Sequence, residues 1–239
     1  MNCENTITDV ITLDGTVGVG KSTVARRLAK RLGWRHVDTG AMYRAVTLAA
    51  MRETADFSNQ EVLGKLAEQS RIELLFENDN YRVFLNGEDV SEAIRDPEVS
   101  RNTSSVADAI PVRKKLVALQ RDMGLKGPSI LEGRDIGTVV FPDAFWKFYL
   151  DASLQERTRR RVLQLKGKGR DLPFDKAMEA IRVRDMRDRS RPWGPLRIAS
   201  GSIVIDTTFM GEDEVIDLIY HFVNVTIHGG KLINSSGGN

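Results

Sequence analysis

The sequence predicts an α/β protein with a parallel central sheet flanked by helices and an inserted small lobe that contains a β-hairpin. Three observations predict it. Short apolar runs alternate with segments of helical periodicity over residues 10–51, and again beyond residue 112, which is the rhythm of strand–helix–strand units with right-handed crossovers. A glycine-rich turn joins the first apolar run to the first helical segment. Between about residues 64 and 105 the rhythm breaks into two strand-like runs separated by Asn78-Asp79-Asn80. That is a hairpin signal, and a purely parallel sheet does not require one.

Taken in order, residues 10–13 form a buried strand that ends at the glycine turn. Residues 22–32 place Val24, Leu28 and Leu32 at helical spacing, with Gly33 as the stop. A short strand over 35–37 leads to Asp38-Thr39-Gly40, and residues 42–51 read as the next helix. The hairpin strands are 72–76 and 81–85. Residues 112–121 then read as a helix, and 129–131, 146–150 and 203–205 as further buried strands. Ser153 and Glu156 form an S-x-x-E capping box that opens a helix ended by Gly167 and Gly169. Residues 176–190 are helical and are stopped by Pro192. The tail 235–239 is expected to be disordered.

Composition narrows the class. The 239 residues are 41% hydrophobic and 28% charged, enough apolar material for a substantial core in a single domain. The net charge of +2 gives no global argument for a nucleic-acid partner, so any basic site must come from local clustering. Cys3 is the only cysteine, which excludes an internal disulfide and a cysteine-built metal site. The N-terminal MNCENTITDV has no apolar run to serve as a signal, and no stretch approaches the roughly 20 apolar residues of a membrane span. A cytoplasmic monomer with no membrane and no nucleic-acid partner is the expectation.

The glycine turn carries chemistry. Gly15-Thr16-Val17-Gly18-Val19-Gly20-Lys21-Ser22 fits G-x-x-x-x-G-K-[ST] at every fixed position, with a strand before it and a helix after it. Glycines let the main chain wrap phosphates with its N–H groups pointing inward, and the helix N-terminus adds partial positive charge. Lys21 would reach the β- and γ-phosphates of ATP, and the Ser22 hydroxyl would ligate Mg²⁺. The segment from Gly15 through Thr23 is therefore the expected nucleotide cradle of a P-loop NTPase fold. The loop does not name the reaction, because GTPases, ATPases and small-molecule kinases share it. The guanine-reading N-K-x-D is absent from the sequence.

Four further segments carry a resemblance. They are Asp38-Thr39-Gly40-Ala41-Met42-Tyr43-Arg44, Ser104 followed by Val112-Arg113, Gly133-Arg134-Asp135-Ile136-Gly137-Thr138-Val139-Val140-Phe141-Pro142, and the run from Arg184 through Asp188 to Arg191. With the loop, they resemble the bacterial cytidylate kinases, a branch of the nucleoside monophosphate kinases, over about residues 10–220. The family loop is often G-P-S-G-[AS]-G-K-[GS], and this chain departs from it at Thr16, Val17 and Val19. Because the cradle uses mainly backbone there, its geometry is expected to survive.

The resemblance implies ATP and Mg²⁺ as cofactors and CMP and dCMP as acceptors. It places the acceptor phosphate on Arg44, Arg134 and Arg191, whose guanidinium forks suit bidentate bonding. It places the ribose beside Arg184 and Asp188 and the cytosine beside Ser104, Arg113 and Asp135, with Asp38 and Thr39 also lining the acceptor site. Cytosine N4 is a donor that Asp135 and Ser104 can accept, and N3 is an acceptor that Arg113 can satisfy. The inserted stretch becomes a nucleotide-monophosphate lobe. The helix from Ser153 becomes a lid over about residues 153–170, with Arg157, Arg160 and Arg161 closing on ATP phosphates. Lys21, Arg134, Arg157 and Arg161 form the expected catalytic set.

The residues alone leave other readings open. Arg184, Asp188 and Arg191, spaced four and three apart, fit a surface ion-pair stripe. Arg157, Arg160 and Arg161 fit a basic face for RNA or membrane. Asp135 fits a partner for Arg134 or a metal-side carboxylate. The three histidines, His36, His221 and His228, are assigned structural or surface roles. A kinase for UMP or a shikimate-like acceptor, and an ATP-dependent regulatory or RNA-binding module, remain the alternatives.

Overall fold

A computed structural model describes residues 7–77, 80–167 and 169–233. Its centre is a five-stranded parallel sheet in the order β2-β6-β1-β7-β8. The strands are β1 (Ile7–Gly15), β2 (Arg35–Asp38), β6 (Ser129–Gly133), β7 (Ala144–Asp151) and β8 (Ile203–Asp206). β1 is central, pairing with β6 on one side and β7 on the other. All five therefore deliver their C-terminal ends to one edge, where ligands bind in open α/β sheets. Gly15 ends β1 under a hard constraint, since a Cβ there would lie 2.1 Å from the Leu150 carbonyl oxygen of β7.

Side-chain alternation along the strands builds a core on each face. Ile11 and Leu13 of β1 join Ile130, Phe148 and Leu150 beneath helices α1 (Lys21–Leu32) and α8 (Glu212–Ile233). Val10, Val37 and Leu131 face the other way, toward α2 (Thr39–Arg52) and α5 (Ile110–Gly124). Gly33 closes α1 in the left-handed conformation at φ 68°, its N–H returning to Ala29 and Lys30.

The inserted stretch forms a three-stranded antiparallel sheet of β3 (Ile72–Glu77), β4 (Asn80–Leu85) and β5 (Glu88–Asp89). The register Ile72↔Leu85 through Glu77↔Asn80 makes Asn80 the first residue of a strand, where the sequence placed it in the turn. Asn78 and Asp79 lie outside the described residues, as does the tail 235–239. Helices α3 (Gln60–Gln69) and α4 (Pro97–Asp108) flank this sheet, so the expected bounds at 64 and 105 fall inside helices. Val83, Leu85, Val99 and Val106 belong to the same apolar cluster as Met42 and Leu116. The insertion shares the core of the main body.

Periodicity did not reveal α3, α4 or α8. α4, PEVSRNTSSVAD, is rich in Ser, Thr and Asn, which are weak helix formers. It is held by Pro97 in its first turn and by Asp96, whose side chain accepts from Glu98 N. Ser153 caps α6 (Leu154–Lys166), accepting from Glu156 N at 3.3 Å, and Gly167 ends the helix. α7 (Phe174–Ser190) begins two residues before the expected start and delivers Arg184 and Asp188 to the C-terminal edge of the sheet.

Candidate active site

The phosphate loop runs from Gly15 at the end of β1 to Lys21 and Ser22, the first residues of α1. Gly18 and Gly20 adopt φ 79° and 97°, conformations that side chains disfavour. Thr16 is buried and donates to Asp151 Oδ1 at 3.0 Å, at the end of β7. Lys21 is buried and its Nζ donates to the Thr16 carbonyl at 2.6 Å, folded back across the loop. Burial, and next the positive charge of Arg134, hold its pKa well below the ordinary lysine value, against the pull of Glu132, Asp188 and Asp14. An incoming phosphate would reverse that balance. Val17 and Val19, the departures from the family loop, contribute main-chain groups to this geometry: Val17 N donates to Asp185, and the Val19 carbonyl accepts from Arg160. Thr23 follows in the first turn of α1.

Ser22 Oγ donates to Glu132 Oε2 at 2.8 Å, and Glu132 Oε1 lies 3.2 Å from His36 Nε2. Glu132 and His36 are both buried. Sequence reasoning named neither. Glu132 directly precedes the Gly133-Arg134-Asp135 segment, whereas His36 has no motif around it. The hydroxyl and carboxylate oxygens supply hard donors of the kind Mg²⁺ takes alongside substrate phosphates.

Asp14 is a further buried carboxylate that the sequence did not single out. It accepts from Ile136 N at 2.9 Å and Gly137 N at 2.7 Å, fixing the turn that carries Arg134 and Asp135. Burial pushes its pKa up to about 6, against these two hydrogen bonds.

Predicted acceptor residues reach this turn from α5 and α7. Arg134 Nε donates to Asp188 Oδ2 at 2.8 Å, and Arg191 Nη2 lies 2.6 Å from Asp188 Oδ1. Asp188 is only 2% exposed, which excludes the surface-stripe reading. Burial alone would raise its pKa, but the guanidiniums of Arg134, Arg191 and Arg184 outweigh burial and hold the carboxyl below its ordinary value. Arg191 also donates to Asp108 Oδ1 at 2.8 Å, and Arg187 bonds Asp108 Oδ2 at 2.5 Å. Asp108 and Arg187 were not foreseen.

Arg184 is different. Its buried Nε has no hydrogen-bond partner among the described residues. Burial, then Arg134, lower its pKa to about 10. A guanidinium with a buried, unpaired Nε–H suits an anionic or hydroxyl-rich ligand. At the start of α2, Asp38 caps the helix by accepting from Ala41 N at 2.9 Å and binds Arg44 Nη2 at 2.9 Å. Thr39 Oγ1 donates to the Glu132 carbonyl at 2.7 Å, tying α2 to β6.

The expected base-reading residues Arg113 and Asp135 meet at 2.5 Å, Nη2 to Oδ2. Arg113 also donates to the carbonyls of Ala107 at 3.0 Å and Gly194 at 3.2 Å, and its Nε has no partner among the described residues. Ser104 lies on α4, one turn before Ala107 and Asp108 and so on the same helical face.

Of the four arginines of α6, the three expected to act together, Arg157, Arg160 and Arg161, do not form one basic face. Arg157 is buried against Asp185, the Ala152 carbonyl and the Val17 carbonyl. Arg160 bonds Glu156 Oε1 at 2.8 Å and the Thr207 carbonyl at 2.6 Å. Arg161 is the exposed one, bonded to Gln164 at 2.7 Å. Among the described residues, no helix is long and apolar enough to cross a membrane.

The family model for cytidylate kinase matches residues 11–225. A cytidylate kinase of Caldanaerobacter subterraneus subsp. tengcongensis is 46% identical over 223 residues, 93% of this chain and 98% of that protein. A cytidylate kinase of Geobacter sulfurreducens is 47% identical over 208 residues, 87% of this chain and 89% of that protein. One of Shouchella clausii is 44% identical over 213 residues, 89% of this chain and 95% of that protein. The family match extends across the phosphate loop, the inserted lobe and the arginine-rich helix together, and the chain belongs to the cytidylate kinase family.

Proposed function

We propose that this chain transfers the γ-phosphoryl group of ATP to CMP or dCMP, giving ADP and CDP or dCDP. One observation carries the reading: the Lys21 ammonium of the phosphate loop lies close enough to the Arg134 guanidinium of the acceptor cluster that the Arg134 charge disfavours its own. A phosphoryl group passing between two phosphates needs cations on both sides of its path.

The acceptor phosphate is assigned to Arg44, Arg134 and Arg191, the ribose to Arg184 and Asp188, and the cytosine edge to Ser104, Arg113 and Asp135. No general base is required. The nucleophile is a phosphate oxygen whose second pKa is about 6, so it is already deprotonated at neutral pH. Lys21 leaves the Thr16 carbonyl for the β- and γ-phosphates, and Arg134 neutralises charge between donor and acceptor. Ser22 and Glu132 would hold Mg²⁺, which when bound neutralises phosphate charge. The α6 segment is assigned as the lid that excludes water, with Arg161 as its exposed cation. Acceptor-dependent ADP release measured across CMP, dCMP, UMP, AMP, GMP and no acceptor tests the assignment. CMP and dCMP should lead, and turnover that ignores the acceptor would refute it.

A further inference from the structure

The motif that supplies Arg184 and Asp188 contains a second carboxylate to which neither reading gives work. Asp185 of α7 is 5% exposed, and its hydrogen bonds go to the phosphate loop and α6 rather than to the acceptor arginines. Its Oδ1 accepts from the Val17 main-chain N–H at 3.2 Å, and its Oδ2 pairs with Arg157 Nη1. The same Arg157 Nη1 donates to the Val17 carbonyl at 3.2 Å, while Arg157 Nε is anchored on the Ala152 carbonyl at 3.0 Å. Both polar groups of one loop residue are thus held by the two members of one buried ion pair. The pair bridges α6 and α7, and it grips the loop between Gly15 and Gly18, where the main chain has the most freedom.

We propose that Asp185 and Arg157 are positioning residues that clamp the phosphate loop through the Val17 main chain, presetting it for the phosphates of ATP. Several features fit. Valine has no side-chain hydrogen-bonding group with which to fix its own loop, so this chain needs an external hold at that position. The next residue, Gly18, lies so close to α6 that a Cβ would stand 3.3 Å from the Arg157 carbonyl. An Arg157 guanidinium whose Nε and Nη1 already donate to Ala152, Val17 and Asp185 acts on ATP through the loop. The helix that contributes Arg184 and Asp188 to the acceptor site also braces the donor site. This deepens the assignment above and rests on it.

The test uses the full chain and amide hydrogen exchange together with ligand titration. In the ligand-free protein the Val17 amide should exchange roughly a hundredfold more slowly than an unbonded loop amide. Asp185→Asn should raise the ATP dissociation constant about tenfold, as expected for a lost charge-assisted contact, and leave that of CMP within about twofold. Replacing the pair together, Arg157→Met with Asp185→Leu, removes the clamp without leaving a buried unpaired charge. It should speed Val17 exchange and weaken ATP no further than the single change does, because the two residues act as a unit. Fast Val17 exchange in the native protein overturns the clamp whether or not the variants fold. So does an unchanged ATP constant in a folded variant, or an equal loss for ATP and CMP. A native protein that shows slow Val17 exchange but no CMP phosphorylation refutes the assigned activity and leaves the clamp standing.

Discussion

Arg113 and Asp135 make one buried unit, with 2% and 5% of their surfaces exposed and their nearest atoms 2.5 Å apart. Burial pushes Asp135 above its ordinary carboxylate value, and Arg113, Arg191 and Arg134 pull against it. Two desolvated opposite charges are tolerated only together. Removing one leaves the other uncompensated, at roughly 3–5 kcal/mol. The pair assigned to cytosine therefore also supports the fold, and alanine is a poor probe of it.

Asp135→Asn, which keeps an acceptor oxygen, is the better probe. It should lower kcat/KM for CMP much more than for UMP and narrow the preference by at least about tenfold, since sites built on hydrogen bonds reject mismatched edges strongly. Arg44→Ala is the control and should weaken both acceptors alike, because both carry the same phosphate. An equal loss for CMP and UMP in the Asp135 variant would move cytosine selectivity elsewhere.

Gly194→Ala should damage the same pair from outside. Gly194 has φ 62°, and a Cβ there would lie 2.5 Å from both Arg113 Nη2 and Asp135 Oδ2. Displacing the pair should raise KM for CMP severalfold with little change in KM for ATP, and cost about 1–3 kcal/mol of stability for the strained backbone. Steady-state kinetics with each substrate varied in turn checks this, and an unchanged KM for CMP sinks it.

Lys21→Ala should reduce kcat by more than tenfold with the fold intact. Losing one charge contact made in the transition state costs about 2–4 kcal/mol. The folded protein should gain a little stability from shedding a desolvated ammonium, so a thermal melt and a turnover assay should move in opposite directions. Near-normal turnover at saturating MgATP would remove Lys21 from the reaction.

Asp14 gives a pH dependence with a definite sign. Its folded-state pKa of about 6 lies above the ordinary 3.8. Between these values the folded state keeps a proton that the unfolded chain has released. The stability that Asp14 contributes is present below about pH 4 and is lost as pH rises through 6, an amount of roughly 3 kcal/mol at the conversion of 1.36 kcal/mol for each pKa step. Asp14→Asn places an amide against one of two N–H donors, which costs stability at every pH. The informative quantity is thus the difference between native and variant unfolding free energies, which should shrink in the native protein's disfavour from pH 4 to 6.5. A flat difference in denaturant titrations contradicts the raised pKa.

What the sequence determined by itself was the local and the periodic. Val24, Leu28 and Leu32 at helical spacing, Gly33 as a stop and the Ser153–Glu156 capping box specify their elements through short-range sterics and hydrogen bonds. The phosphate loop is equally local, because its glycines and Lys21 sit within eight residues of one another. The resemblance added Arg113, Asp135 and Asp188, which no spacing could bring together. The tertiary structure alone decided how charges pair across long separations. His36 joins Glu132, 96 positions away, and Asp185 reaches Val17 across 168. It also decided that Arg157 turns inward while Arg161 stays in water, although both belong to one helix and one motif. Burial makes that choice: a guanidinium is free or spent according to which carboxylates and carbonyls the packed helices bring within about 3 Å of it, and the order of residues along a chain does not contain that distance.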